Sequence, residues 1–224
     1  VQSLAKTFNN LTVLDSITFE LQRGEILGLV GRRGTGKSSL LHLLGGHTQP
    51  SQGTISFRGQ PVHFTAPHQA RREGIELVNQ FAQLVVHLDV IQNIFLGHEI
   101  ARFPSVGLPK WEEMVQITSE LLQKFDLPLD LINKPVASLS NEQRNLIALM
   151  RAFCLPARLL LMDDVLPNLG YHHQTTVLKR IREQAQQGLG VIICSDNLKH
   201  LFNITDRILV LYEGRLVADK ITSE

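Results

Sequence analysis

The sequence has few cysteines and no long hydrophobic run. Its 224 residues include two cysteines, Cys154 and Cys194, which lie far apart and each inside an apolar run. That setting favours core packing over a disulfide or a metal site and is typical of a reducing compartment. No apolar run approaches the roughly 20 residues that a membrane-spanning helix needs. The sequence therefore predicts a chain that does not itself cross a membrane.

An excess of charge of either sign is also absent. The 22 Lys and Arg residues balance 21 Asp and Glu residues and leave a net charge of +1, so no global field attracts nucleic acid or an anionic membrane. Any anion site must be local. With 43% hydrophobic residues, 16 glycines and 9 prolines, the composition is globular, not disordered or fibrous. The chain starts at Val1 and ends soon after a strand-like run, and we expect it to be a piece of a longer protein.

Hydrophobic periodicity predicts an α/β fold. Apolar runs and alternation predict strands at 17–21, 25–30, 54–57, 62–64, 75–78, 159–162 and 191–194, and a hairpin at 207–217. Helical spacing predicts helices at 39–44, 67–73, 90–96, 111–125, 146–153 and 175–185, with Trp111 on the apolar face of its helix. The alternation favours a mostly parallel sheet with a β portion at the start and an inserted helical subdomain.

The most specific motif is a glycine-rich loop between a buried strand and a helix. Its sequence, Gly31-Arg32-Arg33-Gly34-Thr35-Gly36-Lys37-Ser38, fits the G-x-x-x-x-G-K-[ST] pattern of phosphate-binding loops. Glycines let backbone N–H groups wrap phosphate oxygens, and the helix N-terminus adds a positive dipole. Lys37 would neutralise the β and γ phosphates, Ser38 would hold Mg²⁺, and Ser39 follows in the first helical turn. A glycine-rich turn that merely caps a helix is the alternative.

A second buried strand ends in acidic residues. The run 159–162 is followed by Asp163 and Asp164. Carboxylates placed after a buried strand hold Mg²⁺ through water in phosphate-loop enzymes, which is the role predicted for Asp163. Taken alone, such a run is equally compatible with an ordinary strand terminus.

With these motifs the chain resembles the nucleotide-binding domains of ABC transporters along nearly its whole length. The resemblance places Phe8 against adenine, Gln80 at the Q-loop that contacts metal and the attacking water, and 139–143 at the signature sequence, where Ser140 and Gln143 would contact nucleotide. Residues 164–170 then correspond to the D-loop and 195–197 to the switch region. The implied fold is a P-loop NTPase core, and the implied ligands are ATP and Mg²⁺.

A closer similarity is to the sugar-importer branch of that family. It is carried by the segments 57–64, 66–67, 74–75 and 93–97. Proteins of this branch usually carry two such domains in tandem, and the chain resembles the first. The resemblance implies one ABC-type domain over 1–224, with an α/β core and β portion at 1–88 and 156–224 and a helical subdomain at 89–155.

Three positions depart from the family pattern at the catalytic constellation. Glu142 stands where the signature has a small residue, and its carboxylate opposes phosphate. Asp164 replaces the glutamate that acts as general base and places its oxygens differently. Asp196 replaces a histidine that contacts the γ-phosphate, and His200 lies four positions further on. Phosphate binding is thus predicted to be intact and hydrolysis to be impaired.

The resemblance implies an importer ATPase, and two other functions compete with this interpretation. In the first reading, nucleotide binding and slow hydrolysis at the cytoplasmic face of the membrane drive a permease, in concert with a second nucleotide-binding domain. The alternative is a degenerate ATP-binding partner of another ABC domain. A third class, a non-transport ABC ATPase acting on DNA or ribosomes, is disfavoured by the short helical insert and the balanced charge. Adjacent His172 and His173 point apart on a helix and predict no shared metal site.

Overall fold

The protein is described from a computed structural model that covers residues 1–100, 109–196 and 198–222, without the side chains of residues 199 and 200. Within these ranges the strands are β1 (Gln2–Phe8), β2 (Leu11–Ile17), β3 (Ile26–Val30), β4 (Gln52–Phe57), β5 (Gln60–Val62), β6 (Ile75–Val78), β7 (Leu159–Asp163), β8 (Gly190–Ser195), β9 (Arg207–Tyr212) and β10 (Arg215–Ile221). The helices are α1 (Lys37–Leu44), α2 (Pro67–Arg72), α3 (Val90–Phe95), α4 (Trp111–Lys124), α5 (Asn141–Cys154), α6 (Tyr171–Gln186) and α7 (Leu198–Phe202). Short 3-10 turns lie at Leu129–Leu131, Val136–Ser138 and Leu166–Asn168.

The strands form two sheets of different character. The smaller sheet has the order β2-β1-β4-β5 and is antiparallel. The larger sheet has the order β10-β9-β3-β8-β7-β6. In it β3 runs parallel to β8 and β9, β7 runs parallel to β8, and β10 closes an antiparallel hairpin with β9. The predicted α/β fold with a mostly parallel sheet and an antiparallel β portion is confirmed.

The centre of the larger sheet is built from continuous apolar runs. Such runs are typical of strands that are covered on both faces. Every residue of β7 and β8 is buried, and Leu27, Leu161 and Ile193 expose 1% of their surface or less. Each such side chain contributes about 1.5–3 kcal/mol on burial. Cys194 belongs to this core, as predicted, whereas Cys154, predicted to lie in the core as well, is only half-buried; both cysteines are free thiols.

The predicted strand at 17–21 is wrong, because β2 ends at Ile17. Beyond it one pair of backbone hydrogen bonds continues the pairing: the amino group of Val1 donates to the Phe19 carbonyl at 2.8 Å, and the Phe19 N–H donates to the Val1 carbonyl at 3.3 Å. Phe19 is buried while Thr18 is exposed. The alternation of apolar and polar residues at 17–21 therefore indicates which side chains face the core. It does not indicate a strand here, because a single pair of hydrogen bonds is too few to extend the sheet.

Three helices begin earlier than their apolar pattern predicts. α1 starts at Lys37, α5 at Asn141 and α6 at Tyr171, each with polar or exposed first residues that carry no hydrophobic period. Trp111 was predicted to lie in the core, but it is the first residue of α4 and is 44% exposed. The buried face of α4 is formed by Met114, Thr118, Leu121 and Leu122.

The chain divides into two compact units. The first comprises Val1–Leu77, Ala157–Asp164 and Arg180–Glu224 and holds the two sheets. The second comprises Val78–Pro156 and Val165–Lys179 and is helical. Within the second unit α3 begins with a reciprocal capping box between Asp89 and Gln92, and α5 buries Leu146, Ile147 and Met150. The capping box fixes where α3 begins, and the buried side chains hold α5, whose N-terminus carries polar residues.

Candidate functional site

Three chain segments leave the larger sheet at the same edge. β3, β7 and β8 are parallel and in register to their last residues, so their carboxyl ends lie side by side. The glycine-rich loop follows β3, Asp164 follows β7 and Asp196 follows β8. Ligands of parallel α/β sheets bind at this edge. The first unit therefore brings together the predicted phosphate loop and the acidic positions 163, 164 and 196.

The loop needs its glycines for two different reasons. A Cβ on Gly31 would lie 2.5 Å from the Leu211 carbonyl oxygen, and a Cβ on Gly36, whose φ is 103°, would lie 2.9 Å from the Val13 carbonyl oxygen, so neither position has room for a side chain. Gly34 has free space around it but has a φ of 81°, which side-chain-bearing residues rarely adopt. The backbone thus follows a tight path that glycine alone can take at these positions.

Positive charge and hydrogen-bond donors converge on this loop. Lys37 is buried, and its ammonium donates to the carbonyls of Gly31 at 2.6 Å and Arg32 at 3.2 Å. Gly36 caps α1 without a side-chain acceptor. The N–H groups of the first helical turn and the positive end of the helix dipole can therefore interact with an anion bound at the loop. The Thr35 hydroxyl closes the turn by donating to the Arg32 carbonyl at 2.9 Å. This arrangement is suited to a polyanion.

The remaining loop residues are accessible. Arg32, Arg33, Gly34 and Ser38 are exposed, and Ser39 is half-buried in the first turn of α1. Two exposed guanidinium groups add positive charge at the mouth of the loop. The exposed Ser38 hydroxyl is available to a ligand or cation.

Asp163 is chemically suited to a divalent cation. It is 6% exposed, and its Oδ1 is buried without a hydrogen-bond partner among the residues described. A buried carboxylate oxygen in that condition is costly unless another positive group compensates it. Across 1–100, 109–196 and 198–222, no three His, Cys, Asp or Glu side chains form a cation cage. A Mg²⁺ ion at Asp163 would therefore take further ligands from hydroxyl, phosphate and water oxygens, as Mg²⁺ commonly does.

Asp164 is held in a constrained conformation beside the loop. Its φ of 48° lies in the left-handed region, which aspartate tolerates better than most residues. Its carboxylate accepts a hydrogen bond from the Asp196 backbone N–H. Burial raises the pKa of Asp164, Lys37 opposes this, and the charges of Asp196 and Asp163 add to it. The carboxylate is thus a stronger base than an exposed aspartate.

Asp196 lies close to a charge of the phosphate loop. Its Oδ2 is 3.6 Å from Arg33 Nε, in a pair whose side chains are 40% and 86% exposed. An exposed pair of this kind contributes little to stability, yet it draws the negative charge of the switch region toward the loop. Two other predicted members of that region, Asn197 and the His200 side chain, lie outside the described residues.

Phe8 lies at the end of β1 and exposes 42% of its surface. The ammonium of Lys6 lies 4.7 Å from the centroid of its ring, in a cation–π contact. The ring therefore offers an aromatic face that is partly open to solvent, in the same unit as the loop.

The other predicted nucleotide contacts lie in the second unit. The Ser140 hydroxyl accepts from the Gln143 N–H at 3.2 Å, and Gln143 Oε1 accepts from the Ser140 N–H at 2.9 Å, which completes a capping box at the start of α5. Gln80 is half-buried, and its carbonyl accepts from Asn168 Nδ2 at 2.8 Å. The predicted signature segment is therefore a well-formed helix N-terminus.

Glu142, in the first turn of α5, is engaged by two donors. Its Oε1 lies 2.7 Å from the Gly170 N–H nitrogen and 2.7 Å from His173 Nδ1. These hydrogen bonds, His173 first, lower the pKa of Glu142 and keep it ionised. Sequence reasoning missed His173, because its partner lies 31 positions earlier in the chain. His172 Nε2 lies 3.2 Å from Asp126 Oδ2, so the two imidazoles contact different carboxylates, but their rings do not point apart: the centroids lie 5.4 Å from each other in a tilted contact.

Within the described ranges, no helix has the length and apolar character to span a bilayer.

A family model described as ABC transporter matches residues 14–166. The chain is 32% identical to the xylose/arabinose import ATP-binding protein XylG of Sulfolobus acidocaldarius over 100% of its own length and 88% of that protein. It is 34% identical to the fructose import ATP-binding protein FrcA of Rhizobium meliloti over 96% and 84% of the two chains.

A third relative is longer. The chain is 31% identical to the ribose import ATP-binding protein RbsA of Hahella chejuensis but spans 44% of it, less than half of that protein's length.

Solved structures support the fold. A nucleotide-free ATP-binding cassette from an ABC transporter has a TM-score of 0.84 at 22% identity, covering 98% of this chain and 89% of the other. A dimeric ATP-binding cassette in a post-hydrolysis state, bound to ADP and Pi, has a TM-score of 0.87 at 18% identity, covering 99% and 97%. The family model and the relatives matched over most of their length give the same assignment as the phosphate loop and the strand-end carboxylates. The chain belongs to the ABC transporter family of ATP-binding proteins.

Proposed function

We propose that the chain is the ATP-binding domain of a sugar-type ABC importer, which couples Mg-ATP binding and slow hydrolysis to transport through a membrane permease. The observation that carries the proposal is the loop after β3, with buried Lys37 and two glycine positions that admit no side chain. The sugar assignment is supported by the xylose/arabinose, fructose and ribose import relatives.

The proposed site divides its work between phosphate and metal. Residues 31–36 wrap phosphate oxygens with backbone N–H groups, and Lys37 moves from the loop carbonyls to the β and γ phosphates. Asp163, Ser38 and Gln80 would hold Mg²⁺, whose positive charge compensates the γ-phosphate during hydrolysis. The loop side chains of Arg32, Arg33, Thr35 and Ser39 complete the phosphate site.

The hydrolytic step is assigned to Asp164 with Gln80. The raised pKa of Asp164 favours acceptance of a proton from the attacking water, although its short side chain reaches less far than a glutamate would. Asp196 would face the γ-phosphate with a carboxylate in place of a donor, and its charge is drawn toward Arg33. We therefore expect turnover to be slow.

Partners and base recognition complete the proposal. Phe8 would stack on adenine, and Ser140 and Gln143 would face nucleotide bound by a second ABC domain, either another copy of this chain or a tandem domain. The chain, as one domain with an α/β core at 1–88 and 156–224 and a helical subdomain at 89–155, would act at the cytoplasmic face of the cell membrane.

A second candidate is a degenerate ATP-binding partner that closes on another domain and leaves hydrolysis to it. The specific observation in its favour is the group of three carboxylates at 163, 164 and 196, since Asp196 and Asp163 both raise the pKa of Asp164. Repulsion among these charges opposes a γ-phosphate in the same place. The two candidates share ATP binding and differ in turnover.

Equilibrium binding of a fluorescent ATP analogue with Mg²⁺ tests the shared step. Lys37→Ala should lose at least about tenfold in affinity, because a charge-assisted contact with phosphate is removed. Lys179→Ala, which removes an exposed lysine of α6, is the matched control and should bind as the natural chain does. Undiminished binding by Lys37→Ala would sink both candidates.

A further inference from the structure

In the second unit, the carboxylate of Glu142 is held by hydrogen bonds from His173 and the Gly170 backbone. Glu142 is the second residue of α5, and its Oε1 meets the Gly170 N–H and His173 Nδ1, each at 2.7 Å. The two side chains are 36% and 20% exposed. At this distance from an ionised oxygen, both contacts are charge-assisted hydrogen bonds.

The ionisation of Glu142 determines which ring nitrogen of His173 carries a hydrogen. The carboxylate of Glu142 is ionised and can only accept, so Nδ1 of His173 carries the hydrogen and donates it. The Gly170 N–H donates to the same oxygen. The negative charge at position 142 is therefore directed toward the start of α6.

The position of this carboxylate matters because of the helix end beside it. The capping box uses the Ser140 and Gln143 N–H groups, while the Asn141 and Glu142 N–H groups have no acceptor within the helix by its geometry. These two groups and the helix dipole attract an anion. A free carboxylate two residues into the helix would compete for them, whereas a held carboxylate does not.

We propose that His173 is a positioning residue, which holds the Glu142 carboxylate at Gly170 so that the N-terminus of α5 stays open to the phosphate of a nucleotide bound by a second copy of this chain. This inference rests on the proposed function, in which the segment 139–143 faces nucleotide on the partner. It explains how a carboxylate can occupy a signature position without blocking the contact.

The neighbouring histidine supplies a matched control. His172 Nε2 lies 3.2 Å from Asp126 Oδ2, which also accepts from the Thr176 hydroxyl at 2.8 Å. His172→Ala therefore removes an adjacent imidazole, its ring contact with His173 at 5.4 Å between centroids and a carboxylate contact, while both hydrogen-bond donors to Glu142 remain. A general effect of truncating α6 would appear in both variants.

The test combines nucleotide binding with self-association. The natural chain, His172→Ala, His173→Ala, His173→Asn, Glu142→Gln and the double variant His173→Ala/Glu142→Gln are compared. Each is titrated with a fluorescent ATP analogue and Mg²⁺ at low protein concentration. Sedimentation velocity then gives the ATP-dependent association constant at higher protein concentration.

Every variant should bind the analogue like the natural chain. His173→Ala should lose about tenfold or more in ATP-dependent association, because a released charge opposes phosphate. His173→Asn keeps a donor and should retain association, as should His172→Ala. Replacing the carboxylate by an amide in His173→Ala/Glu142→Gln should restore it, which a merely structural role for His173 does not predict.

The proposal is overturned if His173→Ala associates like the natural chain, or if the double variant is no better than His173→Ala. It is also overturned if the natural chain binds the analogue but does not associate with ATP, in which case ATP binding by the proposed function still stands. Failure of the natural chain to bind the analogue would instead reject the proposed function itself.

Discussion

Restoring a longer carboxylate at position 164 and a donor at position 196 should accelerate ATP hydrolysis. Asp164→Glu moves the carboxylate oxygens by more than an ångström, and a misplacement of that order costs about 10²-fold in rate. The left-handed backbone at Asp164, with a φ of 48°, reduces the gain. Glutamate tolerates this region less well than aspartate, by about 1 kcal/mol, and a backbone that relaxes to relieve this strain would hold the carboxylate in its productive position in only about one molecule in five, which lowers the rate roughly fivefold.

Asp196→His exchanges an anion for a donor at the γ-phosphate. Loss of one such donor typically costs about 10²- to 10³-fold, so its return should give at least about 10²-fold. The Asp196 backbone N–H that binds the carboxylate at 164 is retained. The double variant should therefore turn over about 10³-fold faster than the natural chain, about twentyfold of this from Asp164→Glu.

The assay is phosphate release at saturating Mg-ATP, which reports kcat. Asp130→Glu makes the same chemical change at an exposed carboxylate, 66% accessible, and should leave kcat unchanged. Adding Lys37→Ala to the double variant should abolish the gain. Equal kcat for the natural chain and the double variant would refute the argument and show that Asp164 and Asp196 already work as they stand.

Two further predictions concern stability. Gly36→Ala should destabilise the fold by about 2–3 kcal/mol, since at a φ of 103° its Cβ would also lie 2.9 Å from the Val13 carbonyl oxygen, whereas Gly34→Ala, with open space around it, should cost only about 1 kcal/mol of backbone strain; urea unfolding of both variants checks the difference. Because the pKa of Glu142 is lowered in the folded state, its carboxylate stabilises the protein above the ordinary value of about 4.3 and ceases to do so as pH falls through the lowered value. Glu142→Gln should thus be less stable than the natural chain at neutral pH, and the difference should shrink as the pH falls below that ordinary value; a difference that stays constant as the pH is lowered would contradict this.

The sequence predicted the parts of the fold that have a strong local signal. Apolar runs marked β3, β7 and β8, and the glycine pattern marked the turn into α1, because both follow from burial and backbone sterics. The polar first turns of α5 and α6 carried no such signal. Trp111 was misplaced because its position at the helix start, which leaves it exposed, is invisible in an apolar periodicity.

The candidate site was predictable in identity but not in its pairings. Lys37, Asp163 and Asp164 follow from motif and strand end. The contacts between Arg33 and Asp196 and between Glu142 and His173 join segments far apart in sequence, and neither is implied by spacing. Glu142 shows the consequence: a charge that opposes phosphate when considered alone is engaged by donors from another helix.

The order of strands in the larger sheet also determines when this protein can fold. β3 takes its neighbours from β8 and β9, which begin at residues 190 and 207. During synthesis, the apolar strand that precedes the phosphate loop must therefore wait until residues beyond 207 have left the ribosome before both of its partners exist. Such non-local pairing slows folding and leaves apolar strand edges exposed in the interval. A truncation within the last strands would leave β3 unpaired on one side while the loop sequence remains complete, so an intact nucleotide motif is no guarantee of a folded nucleotide site.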